Sequence, residues 1–143
     1  MFLNLLTDRQ KQSFLALATK IVMADGEVVP KEHVTLNVRV AEMGGNFKAP
    51  PDEIYGEPNF AVFDTPLSQA IVVLELLVIA YSDEEYHENE KPIVDQLIDK
   101  FEISPDHLEM FENWAKRQSP LSVEGWNFLS EVSPIGENPG GGN

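Results

Sequence analysis

The chain has 143 residues, which is enough for one domain of ordinary size and leaves no room for a second large core. Apolar residues make up 43% of it, so it can bury a core, and the lack of cysteine excludes disulfides and thiolate metal sites. Ten basic residues against 24 acidic ones give a formal net charge of −14, which repels nucleic-acid phosphates and anionic lipids. Composition therefore predicts a globular domain that does not bind nucleic acid.

The start of the chain does not have the pattern of a signal sequence, because Asp8 and Arg9 interrupt the first apolar residues. The most apolar stretch, residues 70–80, contains Glu75 and is shorter than the roughly 20 residues that a membrane-spanning helix needs. We therefore expect a cytoplasmic protein with no direct membrane insertion. We also expect Glu75 to lie at the rim of the core rather than inside it.

The negative charge is concentrated in the middle of the chain. Residues 51–81 hold five acidic residues and no basic one, and residues 82–112 hold eleven acidic and two basic residues. Such a surface fits a divalent cation or a basic protein partner. The same concentration of negative charge is equally expected of a solvent-exposed face whose only effect is to keep the protein in solution.

Helical periodicity runs through most of the chain, and residues with known capping preferences mark the ends of the helices. Thr7 and Gln10 have the spacing of a capping box at the start of the first helix, and Asp25-Gly26 ends that helix. Pro30 suits the first turn of a second helix that ends at Gly44-Gly45. These features predict a helical hairpin.

Residues 44–66 show no sustained period and contain several prolines and aromatic residues, which predicts a long loop packed against the body. A third helix from Leu67 is apolar on all sides, and a fourth helix has Pro92 near its start. Both helices are expected to contribute to the core.

Ser104-Pro105 predicts the start of a fifth helix, and Ser119-Pro120 is expected to end it. A shorter sixth helix over residues 121–132 is expected to bury Trp126 and Leu129. Residues 133–143, rich in Pro, Gly and Asn, are predicted to form a disordered tail. The helical domain therefore spans residues 1–132.

An internal repeat relates the two halves of the chain at a shift of 58 residues. In each half an apolar helix ends in an Asp, an acidic turn follows, and a Glu seven residues after the Asp opens the next helix. Asp25 and Glu32 thus correspond to Asp83 and Glu90. The predicted fold is an all-α, single-domain helical bundle of five to seven helices with two pseudo-symmetric helical hairpins, which can bring their acidic turns together.

The stretch Ile-Val-Met-Ala-Asp-Gly-Glu-Val-Val-Pro-Lys-Glu at residues 21–32 resembles the signature of the TerB-like family, named for a tellurite-resistance protein. The second acidic turn, residues 83–90, and the residues 101–105 are similar to the family's second half, and the likeness spans about residues 8–118. Glu84 departs from it, since the first turn has Gly26 at that place. The resemblance implies an all-helical domain in bacterial stress response or tellurite resistance, with metal binding proposed for its acidic turns.

By position, the resemblance assigns metal binding to Asp25, Glu32, Asp83 and Glu90. Four carboxylates in two convergent turns could supply most of the oxygen shell that Ca²⁺, Mg²⁺ or Mn²⁺ takes. A structural interpretation stays open beside it, because the two Asp residues can cap turns and the two Glu residues suit the first turn of a helix. Neither turn has the spacing of an EF-hand loop.

Motifs of the common hydrolases and nucleotide-binding proteins are absent from the sequence. One Glu-x-x-His occurs, from Glu84 to His87, whereas ferritin-like di-iron bundles use two. The leading hypothesis is a non-enzymatic stress-response module that binds a divalent cation or a protein partner through its two acidic turns. The alternative is a metal-dependent enzyme with a carboxylate site between the hairpins.

Overall fold

A computed structural model describes residues 1–24, 34–44, 47–81 and 91–132. In these ranges the regular structure is entirely helical, which confirms the predicted all-α bundle of five to seven helices. Two 3-10 turns lie at Leu3–Leu5 and Phe60–Val62. The six α-helices are α1 (Asp8–Ala24), α2 (Val34–Glu42), α3 (Pro51–Tyr55), α4 (Pro66–Ala80), α5 (Lys91–Lys100) and α6 (Pro105–Val132).

Side-chain caps start three of these helices. The predicted capping box is present at α1, where the backbone N–H of Thr7 donates to Gln10 Oε1 at 3.0 Å and the N–H of Gln10 donates to Thr7 Oγ1 at 3.2 Å. Thr65 and Ser68 form the same reciprocal pair at α4. At α6 the hydroxyl of Ser104 accepts from the N–H of His107 at 3.2 Å. These caps satisfy backbone donors that have no partner inside the helix.

Helix α4 lies at the centre of the bundle. It packs against α1, α5, α6 and the first 3-10 turn, and ten of its 15 residues are buried. A helix that is apolar on all sides requires such surroundings. The largest side chains of the core that surround it include Phe14, Leu17 and Ile21 of α1, Phe63, and Leu97 of α5.

The segment between α2 and α4, predicted as a long loop, contains α3 and the second 3-10 turn. Both pack against α1. Pro51 occupies the first turn of α3, where its missing N–H costs nothing. Phe63 is buried, with its ring 6.2 Å from the ring of Phe101 in an edge-to-face arrangement. The segment is therefore attached to the core at both α1 and the end of α5.

The prediction that Ser119-Pro120 ends a helix is wrong, because α6 continues through Pro120 to Val132. Proline lacks the N–H that would bond to the carbonyl of Lys116, which normally kinks or breaks a helix. Ser119 is buried and its hydroxyl donates to the carbonyl of Val78 in α4 at 2.5 Å, which holds α6 on α4 at this point. The predicted burial of Leu129 is also wrong, since its side chain is 57% exposed.

Four predicted features lie outside the described residues: the two acidic turns, the start of the second predicted helix, and the tail at 133–143. In the described ranges no helix combines the length and hydropathy needed to cross a lipid bilayer.

Candidate functional site

The four residues predicted to bind metal, Asp25, Glu32, Asp83 and Glu90, all lie outside the described residues. The metal site therefore stays a prediction. Within the described ranges, no group of three or more His, Asp or Glu side chains is placed to hold a metal ion.

The helices that lead into the two acidic turns are both described, and they start beside the same segment. Gln10, near the start of α1, donates to the carbonyl of Val62 at 2.9 Å and to Asp64 Oδ1 at 3.4 Å, just before α4 begins at Pro66. The two helices pack against each other and have 17 and 15 residues. At a rise of 1.5 Å per residue, they are about 25 and 22 Å long. We infer that their ends lie on the same side of the core.

The strongest concentration of buried charge lies around Glu75, in the middle of α4. Glu75 is 1% exposed, so the expectation that it lies at the rim of the core is wrong. Its Oε2 accepts hydrogen bonds from the amino group of Met1 and from the backbone N–H of Phe2, both at 2.6 Å. Its Oε1 lies 3.7 Å from Nη2 of Arg39 on α2. Cationic and N–H groups from two other segments therefore compensate the buried carboxylate.

Glu42 completes this cluster at its more exposed edge. Its Oε1 accepts from the amino group of Met1 at 2.8 Å and from Nη1 of Arg39 at 3.2 Å. The carboxylates of Glu75 and Glu42 thus balance two cations, the Met1 amino group and the Arg39 guanidinium, and buried charges require such pairing. Arg39 is 5% exposed, and its Nε has no hydrogen-bond partner among the described residues.

The Glu75 cluster is suited to holding segments of the chain together. The carboxylate is shielded from solvent and neutralised by its neighbours, so it cannot act as an exposed base or ligand. It joins the first residues of the chain, α2 and α4, which are far apart in sequence. Its contribution is to fix α2 and the N-terminal residues on the central helix.

A second polar cluster fastens α3 to α1. Ser13 Oγ donates to Glu53 Oε1 at 2.7 Å and accepts from Arg9 Nη1 at 2.8 Å, while Arg9 Nη2 donates to Glu53 Oε2 at 2.5 Å. Ser13 and Glu53 are both buried. A serine nucleophile needs an adjacent base that can accept its proton, and here the carboxylate is already ion-paired with arginine. The cluster is therefore an anchor rather than a catalytic site.

An open depression of about 760 Å³ lies between residues 57–61 and α5. Its charged lining consists of Glu57, Asp99 and Lys100. Sites for small ligands are normally concave and mostly enclosed, which this wide and mixed-charge surface is not. The depression therefore lacks the enclosed and mostly apolar form of a typical small-ligand site.

Tyr81, which follows α4, contacts α6. The Nζ of Lys116 lies 5.6 Å from the centre of its ring. Burial raises the pKa of the Tyr81 hydroxyl, and Glu112, its hydrogen-bond partner, raises this pKa further through its negative charge. The phenol therefore stays protonated and can donate a hydrogen bond at physiological pH.

Sequence reasoning missed the buried partners Glu75, Arg39 and Glu53. The sequence did contain one signal for such a cluster. Glu75 is the single acidic residue in the most apolar stretch of the chain, and in a helix surrounded by others it needs a counter-charge. The sequence does not show which cation supplies it, since Met1 and Arg39 are remote from Glu75 along the chain.

Comparison of the chain with protein-family models, curated proteins and solved structures finds no match. The likeness to the TerB-like family therefore rests on the residues of the two acidic turns and on residues 101–105.

Proposed function

We propose that this protein is a non-enzymatic binding module that takes up a divalent cation through its two acidic turns, residues 25–32 and 83–90. The observation that supports this proposal is the common start and mutual packing of α1 and α4, the helices that lead into these turns. The two helices therefore end on the same side of the core. Carboxylates from both acidic turns can then bind the same ion.

The charge of the two turns favours a cation. Residues 25–32 hold three acidic residues and one basic residue, and residues 83–90 hold five acidic residues and no basic one. Carboxylates gathered on one side of a small domain repel each other, and a hard cation such as Ca²⁺, Mg²⁺ or Mn²⁺ removes that repulsion. The proposed ligands are Asp25, Glu32, Asp83 and Glu90.

The polar clusters within the described ranges support a non-enzymatic role. The carboxylates of Glu75 and Glu53 are buried and neutralised by cations or N–H and O–H donors. The resemblance to the TerB-like family favours a stress-response or tellurite-resistance setting for the module. A basic protein partner is the alternative ligand for the same acidic surface.

Calorimetric titration of the full chain with Ca²⁺, Mg²⁺ and Mn²⁺ tests the proposal, together with the melting temperature at each ion concentration. We expect heat of binding and a higher melting temperature for at least one ion, because an ion that binds the folded state alone adds about 2.7 kcal/mol at 100 times its Kd. The double variant Asp25→Asn, Asp83→Asn should lose both effects.

The matched control is Asp95→Asn, Asp106→Asn, which removes the same charge from exposed positions on α5 and α6 and should keep both effects. Absence of heat and of a melting shift with every ion would contradict cation binding. If the Asp25 and Asp83 variant only lowered the melting temperature equally with and without ions, helix capping alone would explain these residues.

A further inference from the structure

The C-terminal part of α6 carries an apolar face that is turned away from the core. Its large side chains are between 57% and 86% exposed: Leu121, Phe128, Leu129 and Val132. At 3.6 residues per turn, positions 121, 125, 128 and 132 fall on one side of the helix, opposite the buried Ser119. We call Leu121, Gly125, Phe128 and Val132 the outer stripe. An exposed apolar row of this kind marks an interaction surface.

Gly125 indicates how closely another helix could approach this stripe. Glycine weakens a helix interior relative to alanine. A Cβ added at Gly125 would meet nothing within 4 Å, so packing among the described residues does not require the glycine there. Close approach of a second backbone would require it, because any side chain would then be in the way.

The order of the charged residues beside the outer stripe favours pairing with a second, antiparallel copy of the same helix. Arg117, Glu124 and Glu131 are spaced by seven residues, so they form a row along one edge of the stripe, and all three are exposed. The basic residue stands at the beginning of the row and the acidic residues follow. In an antiparallel pair of identical helices, Arg117 of each copy would meet Glu131 of the other.

We propose that the outer stripe binds the outer stripe of a second copy of this chain, which forms an antiparallel, twofold-symmetric dimer centred near Gly125. Residues 113–132 hold two basic and two acidic residues, so this surface carries no net charge and adds little to the repulsion between two chains of net charge −14. The same register brings Leu121 of one copy close to Gly125 of the other, a large side chain against a small one.

The length of the helix contact in the proposed dimer indicates how tightly the two copies bind. Sixteen residues from Arg117 to Val132 span about 24 Å of helix at 1.5 Å per residue, which is short for a stable interface. Interfaces of this size are weak and reversible. We therefore expect a dissociation constant in the range of about 10 μM to 1 mM.

Sedimentation equilibrium from about 5 μM to 1 mM protein measures this dimer. Leu121→Glu and Phe128→Glu should each raise the dissociation constant by more than about 100-fold, because an unpaired carboxylate would be buried in the contact. Leu67→Glu is the matched control: Leu67 is 61% exposed against 59% for Leu121 and lies on α4, so this variant should dimerise normally.

Two charge reversals test the antiparallel orientation. Arg117→Glu alone and Glu131→Arg alone should each weaken dimerisation by about tenfold, since each creates two like-charge contacts. An equimolar mixture of these two variants should dimerise as well as the original chain, because every contact between the two different copies is again attractive.

Two further variants separate loss of contact from loss of folding. Gly125→Gln should raise the melting temperature of the dilute monomer, since it adds a helix-favouring residue, and should weaken the dimer by blocking close approach. Glu124→Gln should strengthen the dimer, because Glu124 of each copy would lie near its own counterpart at the twofold axis.

A chain that stays monomeric up to 1 mM would overturn the proposal, as would a dimer that Leu121→Glu leaves intact. Failure of the mixed charge-reversal variants to restore pairing would overturn the antiparallel arrangement. If only a chain shortened to residue 132 dimerised, residues 133–143 would be the occupant of the stripe in the full chain, which also contradicts the proposal.

Discussion

Glu75 keeps a carboxylate in the core because the groups around it replace the hydrogen bonds and the counter-charge that water would supply. Removal of one member of a buried ion pair leaves the other charged and without compensation, which is usually more costly than the pair was favourable. In this cluster the more exposed members are Met1 and Glu42, and the buried members are Glu75 and Arg39. We therefore expect a substitution in this cluster to lower the free energy of unfolding more when the replaced side chain is more deeply buried.

Glu75→Gln should lower the free energy of unfolding by about 3 kcal/mol, because the amino group of Met1 and the buried guanidinium of Arg39 then share the single carboxylate of Glu42. Urea denaturation followed by circular dichroism measures this change. Glu42→Gln is the control within the same cluster and should cost about 1 kcal/mol or less, since its side chain is 35% exposed. Equal effects of the two substitutions would show that burial does not set the strength of the cluster.

Tyr81 should give the protein a pH dependence at the alkaline end. Burial and Glu112 raise its pKa in the folded chain above the ordinary tyrosine value of 10.0, so its contribution to stability is complete below pH 10. That contribution is lost as the pH rises through the folded pKa, where the phenolate would form beside Glu112. Tyr81→Phe should remove this alkaline loss of stability.

Urea denaturation between pH 8 and about pH 11 compares the two chains over the range in which tyrosine ionises. Tyr55→Phe, at a side chain that is 75% exposed, should leave the profile unchanged. An unaltered alkaline profile in Tyr81→Phe would contradict the assigned role of the Tyr81 hydroxyl.

At the scale of the elements, α6 shows how a tertiary contact overrides a local preference. Pro120 removes one backbone hydrogen bond inside the helix, yet Ser119 fixes the adjacent turn on α4 through the carbonyl of Val78. The remaining residues then continue the helix, with Trp126 half-buried on the inner side. The helix therefore continues past Pro120 with one backbone hydrogen bond fewer, and Ser119 holds the adjacent turn on α4.

Pro120→Ala should raise the free energy of unfolding by about 1–3 kcal/mol, because it restores the N–H that can bond to the carbonyl of Lys116 and removes the crowding of the proline ring. Thermal and urea unfolding at low protein concentration measure this gain. Ser122→Ala, at an exposed neighbouring position, should change the stability by less than about 0.5 kcal/mol. A loss of stability in Pro120→Ala would mean that the proline itself is needed for α6 to fit against α4.

The starts of α1 and α6 could be predicted because each depends on residues that are close in sequence. Thr7 with Gln10, and Ser104 with Pro105, carry the capping interaction within one turn. The continuation of α6 could not be predicted, because the bond that secures it joins Ser119 to Val78. A local pattern contains no information about a partner on another helix.

For the whole molecule, the apolar pattern was sufficient to predict a helical bundle with residues 67–81 at its centre, since only a surrounded helix is apolar on every side. The buried clusters were not predictable, because Glu75 and Glu53 are paired with residues from other parts of the chain. The proposed ligands Asp25, Glu32, Asp83 and Glu90 stay predictions from the repeat and the resemblance. The outer stripe was likewise missed, because residues 121–132 were expected to form a separate short helix packed on the core rather than the exposed end of α6.

The contact between Met1 and Glu75 spans 74 positions of the chain and therefore constrains the order in which the protein folds. Closing so long a loop is entropically costly, so this contact should form after the rate-limiting step rather than before it. Glu75→Gln should then accelerate unfolding by roughly 100-fold while the refolding rate changes little, which stopped-flow measurements in urea can resolve. A matching slowdown of refolding would instead place this pairing of remote segments in the folding nucleus.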